Sequence, residues 1–300
     1  MLFRNSHSSR LRLVVLTLAL TFTSSEFVQG GDLLRIATYN ASLYGKSAGE
    51  SRRRLSVASD AQAAKVAAIV QSVRPDILLI NEIDYDDGGE TAFLLARNYF
   101  AVGQSNREPL DYPYVYVAPS NTGVNSGLDL NNNAIKGEPN DCWGYGIYPG
   151  QYSMAIYSRF PIDQKSVRTF QHFRWKDLPG ALRPIDPVTD RPYYNDATWN
   201  AFRLSSKNHI DVPIAVAGST LHILASHPTP PVFDGEEDRN GCRNHDEIRF
   251  WDDYLAGPSS AHLVDDRGNK GGIHEHEVVV VMGDLNADPA DGDGRQSAIR

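Results

Sequence analysis

Four apolar stretches of the sequence each run out into a side chain able to hydrogen-bond or bind metal. RIATYN ends on Asn40, ILLINE on Glu82, HILASH on His227, and VVVMGDLN on Asp284 and Asn286. Glu82 is a hard carboxylate suited to Mg2+ or Mn2+; magnesium takes few protein ligands and keeps several waters for substrate oxygens. Asn40 can support that ion, or orient a ligand, without adding charge. His227 can donate a hydrogen bond, or a proton, to a phosphoryl oxygen. Asp284 can orient or deprotonate a water, and Asn286 can offer its amide to the phosphate. This inventory describes metal-assisted attack of water on a phosphate ester.

Singly, these residues say little. An Asn or Asp at a strand end is commonly a turn residue, and His227, followed by Pro228, suits a turn as well. The joint pattern is stronger, because residue types fit for one reaction end successive apolar strands. Asp284 and Asn286 lie two apart, so an extended chain points both the same way. A strand end is a rigid mount whose backbone is fixed by packing while its tip meets solvent.

The elements that must do the positioning read as α/β from the start. LLRIATYN (33–40) is a strand. ASDAQAAKVAAIVQSVRPD then places Ala63, Val66, Ala67, Val70 and Val73 at helical spacing, with Pro75 as the stop. DILLINE (76–82) follows as a second strand, giving a strand–helix–strand unit. FLLARNYF (93–100) reads as helical, 119–151 as a Gly- and Asn-rich loop, YSMAIYS (152–158) as a strand, and 170–200 as a long ordered loop. VPIAVAG and TLHILASH read as a hairpin through Gly218-Ser219, and NHDEIRFWDDYLAG as an amphipathic helix with Ile248, Trp251 and Leu255 on one face. The valine run 278–281 reads as a strand buried on both faces.

Three hundred residues at 41% hydrophobic and 22% charged make a folded chain, not disorder, the default reading, and a mean hydropathy of −0.39 excludes a membrane-spanning bundle. At the N-terminus Arg4, Arg10 and Arg12 precede the apolar run LVVLTLALTF and then TSSEFVQGG, the layout of a secretory signal peptide over residues 1–30; the alternative is an uncleaved anchor. Removing three Arg and one Glu leaves the mature chain two charges more acidic than the −8 of the full sequence. That balance argues against a protein that coats nucleic acid, and not against an enzyme that meets phosphate through a metal. The expected location is secreted or periplasmic. Cys142 and Cys242 can form a disulfide there, or stay separate thiols.

Other features carry less. DLNNNAIKGEPN (129–140) lacks the glycine and glutamate of a calcium loop. His274 and His276 in HEHE have no evident third zinc ligand. Arg203 and Lys207 in FRLSSKNH are as well explained as the flank of a hairpin. In RNHDEIR, Arg243 and Asn244 precede the helix start as read from the sequence, where a backbone N-terminus can hold a substrate phosphate.

The sequence resembles the endonuclease/exonuclease/phosphatase superfamily, of the deoxyribonuclease-I-like fold. The resemblance runs in order through LRIATYN, RPDILLINEID, YSMAIYSRFPI, LHILASHPTPP and VVVVMGDLNADP, from residue 33 to 290. It implies a four-layered α/β sandwich, two central mixed sheets face to face with helices outside, over residues 31–300. It implies an Mg2+- or Mn2+-dependent phosphoesterase, with Glu82 the principal metal ligand and Asn40 beside it. His227 would stabilise the transition state or leaving group, while Asp284 and Asn286 would handle nucleophile and phosphate. The family pattern also continues past GDLN through further strands to a Ser-Asp-His motif. No Ser-Asp-His occurs here, so the expectation is a C-terminally truncated domain with strands of its second sheet missing. The substrate stays open between nucleic acid, a lipid headgroup and a small phosphoester. The alternative is a secreted, non-catalytic binding protein of the same fold.

Overall fold

The computed structural model describes residues 33–295 together with 298 and 299, so the leader segment read over residues 1–30 lies outside the described residues. Strands β1 (Ile36–Asn40) and β2 (Ile77–Ile83) pair in parallel, Ile36 opposite Ile77 and Asn40 opposite Asn81. Parallel neighbours need a crossover, and this one carries α1 (Glu50–Leu55) and α2 (Ala61–Val73). Asp60 caps α2, its carboxylate accepting from Ala63 N at 2.9 Å, and the helix ends at a left-handed Arg74 just before Pro75. Ala63, Val66, Ala67 and Val70 are buried as the spacing predicts, whereas Val73, in the last turn, is exposed.

Next come α3 (Glu90–Leu95), which runs on as a π-helical turn over Ala96–Phe100, then β3 (Tyr114–Val117) and β4 (Ser153–Ser158). The first sheet has the order β1-β2-β4-β3, with β4 antiparallel to both its neighbours. The second sheet, in the order β10-β9-β8-β5, is formed by β5 (Arg168–Thr169), β8 (His209–Val216), β9 (Ser219–Ser226) and β10 (Val278–Met282). Within the stretch read as loop, β6 (Ile185–Asp186) and β7 (Arg191–Pro192) make a two-stranded ribbon ahead of α4 (Asp196–Ala201). The β8–β9 hairpin turns through Ala217 and Gly218, both at positive φ, one residue earlier than the sequence reading placed it. Helix α5 (Arg239–Leu255) makes the crossover from β9 to its parallel neighbour β10.

Alternation along the strands builds the layers. Ile77 and Leu79 of β2 join Met154 and Ile156 of β4, Val212 of β8 and Ile223 of β9 in the core between the sheets. Leu78 and Ile80 face the other way, onto Ala63, Val66 and Leu95 of α2 and α3. Leu224 of β9 packs with Phe250, Trp251 and Tyr254 of α5, and with Phe170, Trp175 and Phe202 from the long connection. The result is the expected order of helices, sheet, sheet and helices, with both sheets mixed.

Two readings of the strands and helices need correction. Among the described residues β10 is an edge strand, paired only with β9. Val278, Val279 and Val280 are therefore half-buried and Val281 is 39% exposed, where burial on both faces was expected. On α5 the buried face is Ile248, Phe250, Trp251 and Tyr254, while Leu255 in the last turn is exposed.

Candidate active site

Two backbone irregularities aim the site. Glu82 sits in β2 at φ 61, where the pairing with β4 shifts between Asn81–Met154 and Ile83–Ser153. It is the extra residue of a bulge, which re-aims a side chain out of the alternation. A left-handed glutamate costs roughly 1–3 kcal/mol and persists only where its surroundings fix it; here Asn81 donates to Thr38 Oγ1 at 3.0 Å and Ile83 is buried. At the end of β10, a Cβ on Gly283 would lie 1.8 Å from Ser226 O. Only glycine lets the GDLN turn press against the end of β9, and that approach sets Asp284 beside His227.

Five residues predicted from strand ends meet here. Asn40 Nδ2 donates to Glu82 Oε1 at 3.0 Å and to Asp284 Oδ2 at 2.9 Å, joining the two sheets. Asn40 Oδ1 accepts from Ser42 N at 3.2 Å, which fixes the orientation of the amide. His227 Nε2 lies 4.0 Å from Asp284 Oδ2. Asn286, at φ 49, donates from its backbone N to Asp284 Oδ1 and from Nδ2 to Pro228 O at 3.1 Å.

His227 is 4% exposed and its Nδ1 is buried without a hydrogen-bond partner among the described residues. Burial, and then the nearby Lys207 ammonium, hold its pKa well below the usual histidine value, so the ring is neutral at physiological pH. Lys207 was set aside in the sequence as a hairpin flank. It is 7% exposed and lines a cavity of about 520 Å³ together with Glu82, His227 and Asn286. Its pKa is pulled down to about 8 by burial; Glu247 opposes that shift, Arg243 adds to it, and Glu82 and Asp284 oppose it. The sequence offers no clear signal for it: Lys207 lies two residues before β8, whose start at His209 the sequence reading placed later, at Val212.

Arg243 and Asn244 do not precede a helix start, because α5 begins at Arg239 and both lie in its second turn. The polar stretch Arg-Asn-Gly-Cys hid that first turn in the sequence. Arg243 is buried, its guanidinium donating to Leu204 O, Trp143 O and Arg203 O and lying over the Phe202 ring. Asn244 Nδ2 donates to Thr229 O at 2.8 Å and Leu285 O at 3.0 Å. Glu247, one turn on, accepts from Ser206 N and Thr229 N, both at 2.6 Å. One face of α5 thus grips the three loops that carry Lys207, His227 and Asn286. None of this needed a motif, so the sequence did not display it.

The remaining candidates lie elsewhere. His274 and His276 are on an exposed turn, Asp129 accepts from Asn133 N and Ala134 N of its own loop, and Arg203 packs over Trp143. Cys142 and Cys242 are separate buried thiols.

The donor set at the strand ends fits a hard cation. Glu82 and Asp284 converge on one neutral amide, and among the described residues no lysine or arginine pairs with either carboxylate. Among those residues no three His, Cys, Asp or Glu side chains group around one point; magnesium, which takes one or two carboxylates and fills the rest with water, does not need them.

The model described as the Endonuclease/Exonuclease/phosphatase family matches residues 37–300. Among solved structures, sphingomyelinase C from Streptomyces griseocarneus is 15% identical with a TM-score of 0.45, over 87% of this chain and 66% of that one. An endonuclease/exonuclease/phosphatase from Beutenbergia cavernae is 15% identical with a TM-score of 0.44, over 88% and 51%. A beta toxin mutant from Staphylococcus aureus with bound magnesium ions is 14% identical with a TM-score of 0.42, over 87% and 67%. The chain thus spans half to two-thirds of the length of these structures. Comparison with curated protein sequences yields no match.

Proposed function

The chain belongs to the endonuclease/exonuclease/phosphatase family, and on that premise we propose that it is an exported phosphoesterase dependent on Mg2+ or Mn2+. The observation that carries this reading is the single Asn40 amide shared by Glu82 and Asp284, two carboxylates with which no lysine or arginine among the described residues pairs. Glu82, with Asn40 beside it, would hold the metal, which when bound supplies positive charge to the phosphoryl oxygens. Asp284 orients the attacking water and accepts its proton as the new P–O bond forms and the ester P–O bond breaks. The departing oxygen takes a proton from solvent water and Asp284 releases the one it accepted to solvent, so the proton count balances. His227, neutral in its buried site, donates a hydrogen bond to the phosphoryl or leaving oxygen. Asn286 keeps one amide hydrogen for the phosphate beyond the one given to Pro228 O. Export is supported by the basic and then apolar N-terminal sequence, and no helix among the described residues is long and apolar enough to cross a membrane.

The test is hydrolysis of bis(p-nitrophenyl) phosphate and of a monoester by the full chain, with EDTA and then Mg2+ added. Activity that vanishes with EDTA and returns with Mg2+ supports the reading. Mg2+ should also raise the melting temperature of the wild type and not of Glu82→Gln; an equal shift in both would sink the metal assignment. A metal-dependent shift with no hydrolysis of either ester would favour a binding protein of the same fold.

A further inference from the structure

We propose that Lys207 is the anion-holding residue of this site, its ammonium receiving the phosphate of the substrate; the inference rests on the phosphoesterase reading above. Lys207 is buried, yet among the described residues the only hydrogen bond of its ammonium is one of 3.4 Å to Pro228 O, and no carboxylate among them pairs with it. Glu247, the acidic group with most influence on it, has one oxygen on Ser206 N and the other on Thr229 N. A buried ammonium without a counter-ion is costly, and proteins retain one where an anion completes it.

Lys207 Nζ and Asn286 Nδ2 donate to the same carbonyl, Pro228 O, at 3.4 and 3.1 Å. The two nitrogens therefore converge, with two ammonium hydrogens and one amide hydrogen unspent. His227, whose Nδ1 has no hydrogen-bond partner among the described residues, lines the same cavity. The other cations in its wall are already committed, Arg243 to three backbone carbonyls and Arg239 to Glu237. Much of the remaining wall is apolar or aromatic, including Leu130, Tyr145, Phe202, Val232 and Phe233. Such a wall lowers the local dielectric and strengthens the attraction between ammonium and phosphate. A hydroxyl or amide would serve Pro228 O as well, so the positive charge is the property that the rest of the fold leaves unexplained.

The experiment titrates inorganic phosphate, with EDTA present, into the full wild-type chain and into Lys207→Met by calorimetry. The wild type is expected to bind phosphate saturably and the variant at least tenfold more weakly, with similar melting temperatures. Lys207→Arg, which keeps the charge, should recover part of the affinity, which a purely structural role for the lysine stem would not produce. If Lys207→Met does not fold, Lys207→Gln, still able to donate to Pro228 O, takes its place. Equal phosphate affinity in wild type and the uncharged variant, or no phosphate binding by the wild type, overturns the proposal. Hydrolysis of bis(p-nitrophenyl) phosphate by the wild type with Mg2+ is measured in parallel. Phosphate binding lost in the variant with no hydrolysis by the wild type would leave the anion site standing and remove the phosphoesterase reading.

Discussion

The Asn40 amide meets Asp284 Oδ2 at 2.9 Å across 244 residues of chain, and this contact joins one sheet of the sandwich to the other. Asn40 ends a strand of the first sheet and Asp284 follows the edge strand of the second. The position of the site at this end of the sandwich depends on both sheets being in register with their neighbours. A one-residue slip in either would turn the side chain away.

Replacing Asp284 by Asn keeps the shape and removes the proton acceptor. We expect Asp284→Asn to lower kcat by roughly 10²–10⁴-fold, the usual range for a positioned general base, with KM changed far less. Steady-state kinetics with Mg2+ checks this, and an undiminished kcat would refute the assigned role.

Asn244 is expected to act through the loops it ties rather than through the substrate. Asn244→Ala frees Thr229 O and Leu285 O, so kcat should fall while phosphate affinity in the absence of metal stays near wild type. Arg243→Ala removes the donor of one buried and two half-buried carbonyl contacts and should destabilise by about 3 kcal/mol. Urea unfolding beside phosphate titration separates these outcomes from direct substrate contact, which would appear as a matching loss of phosphate affinity in Asn244→Ala.

A methyl group at Gly283 has no room beside Ser226 O. Gly283→Ala is expected to cost about 1–3 kcal/mol and to reduce activity more than stability, because any relief moves the turn that carries Asp284. Chemical denaturation and kinetics on the same sample measure both effects.

His209 is fully buried, with its ring between Ser205 Oγ at 2.6 Å and Glu247 O at 2.7 Å, and burial lowers its pKa below the usual 6.5. The unfolded chain therefore binds a proton near pH 6.5 that the folded chain refuses. The stability of the neutral form is fully present above that pH and is lost as pH falls from 6.5 towards the folded pKa. His209→Gln should flatten the pH dependence in this window by up to about 1.4 kcal/mol per pH unit. Urea unfolding of both proteins at pH 7 and pH 5 tests it; parallel curves would refute it.

What the sequence determined by itself was local. Apolar runs of strand length, the helical spacing and Pro75 stop of α2, and polar tips on successive strands are all written within a few residues. They name Asn40, Glu82, His227, Asp284 and Asn286, and the structure brings these five to one end of the sandwich. Tertiary structure decided what depends on distant partners. Among the described residues β10 pairs with β9 alone and Val281 is exposed, which four valines in a row do not reveal. Arg243 and Asn244 look like surface charge beside a helix start, yet a first turn built from polar residues moves them inside α5, where they bind backbone. Lys207 belongs to no motif. Its importance comes from being buried with no carboxylate paired to its ammonium among the described residues, and burial is a property of the packed sheets and of α5, not of the residues on either side of it.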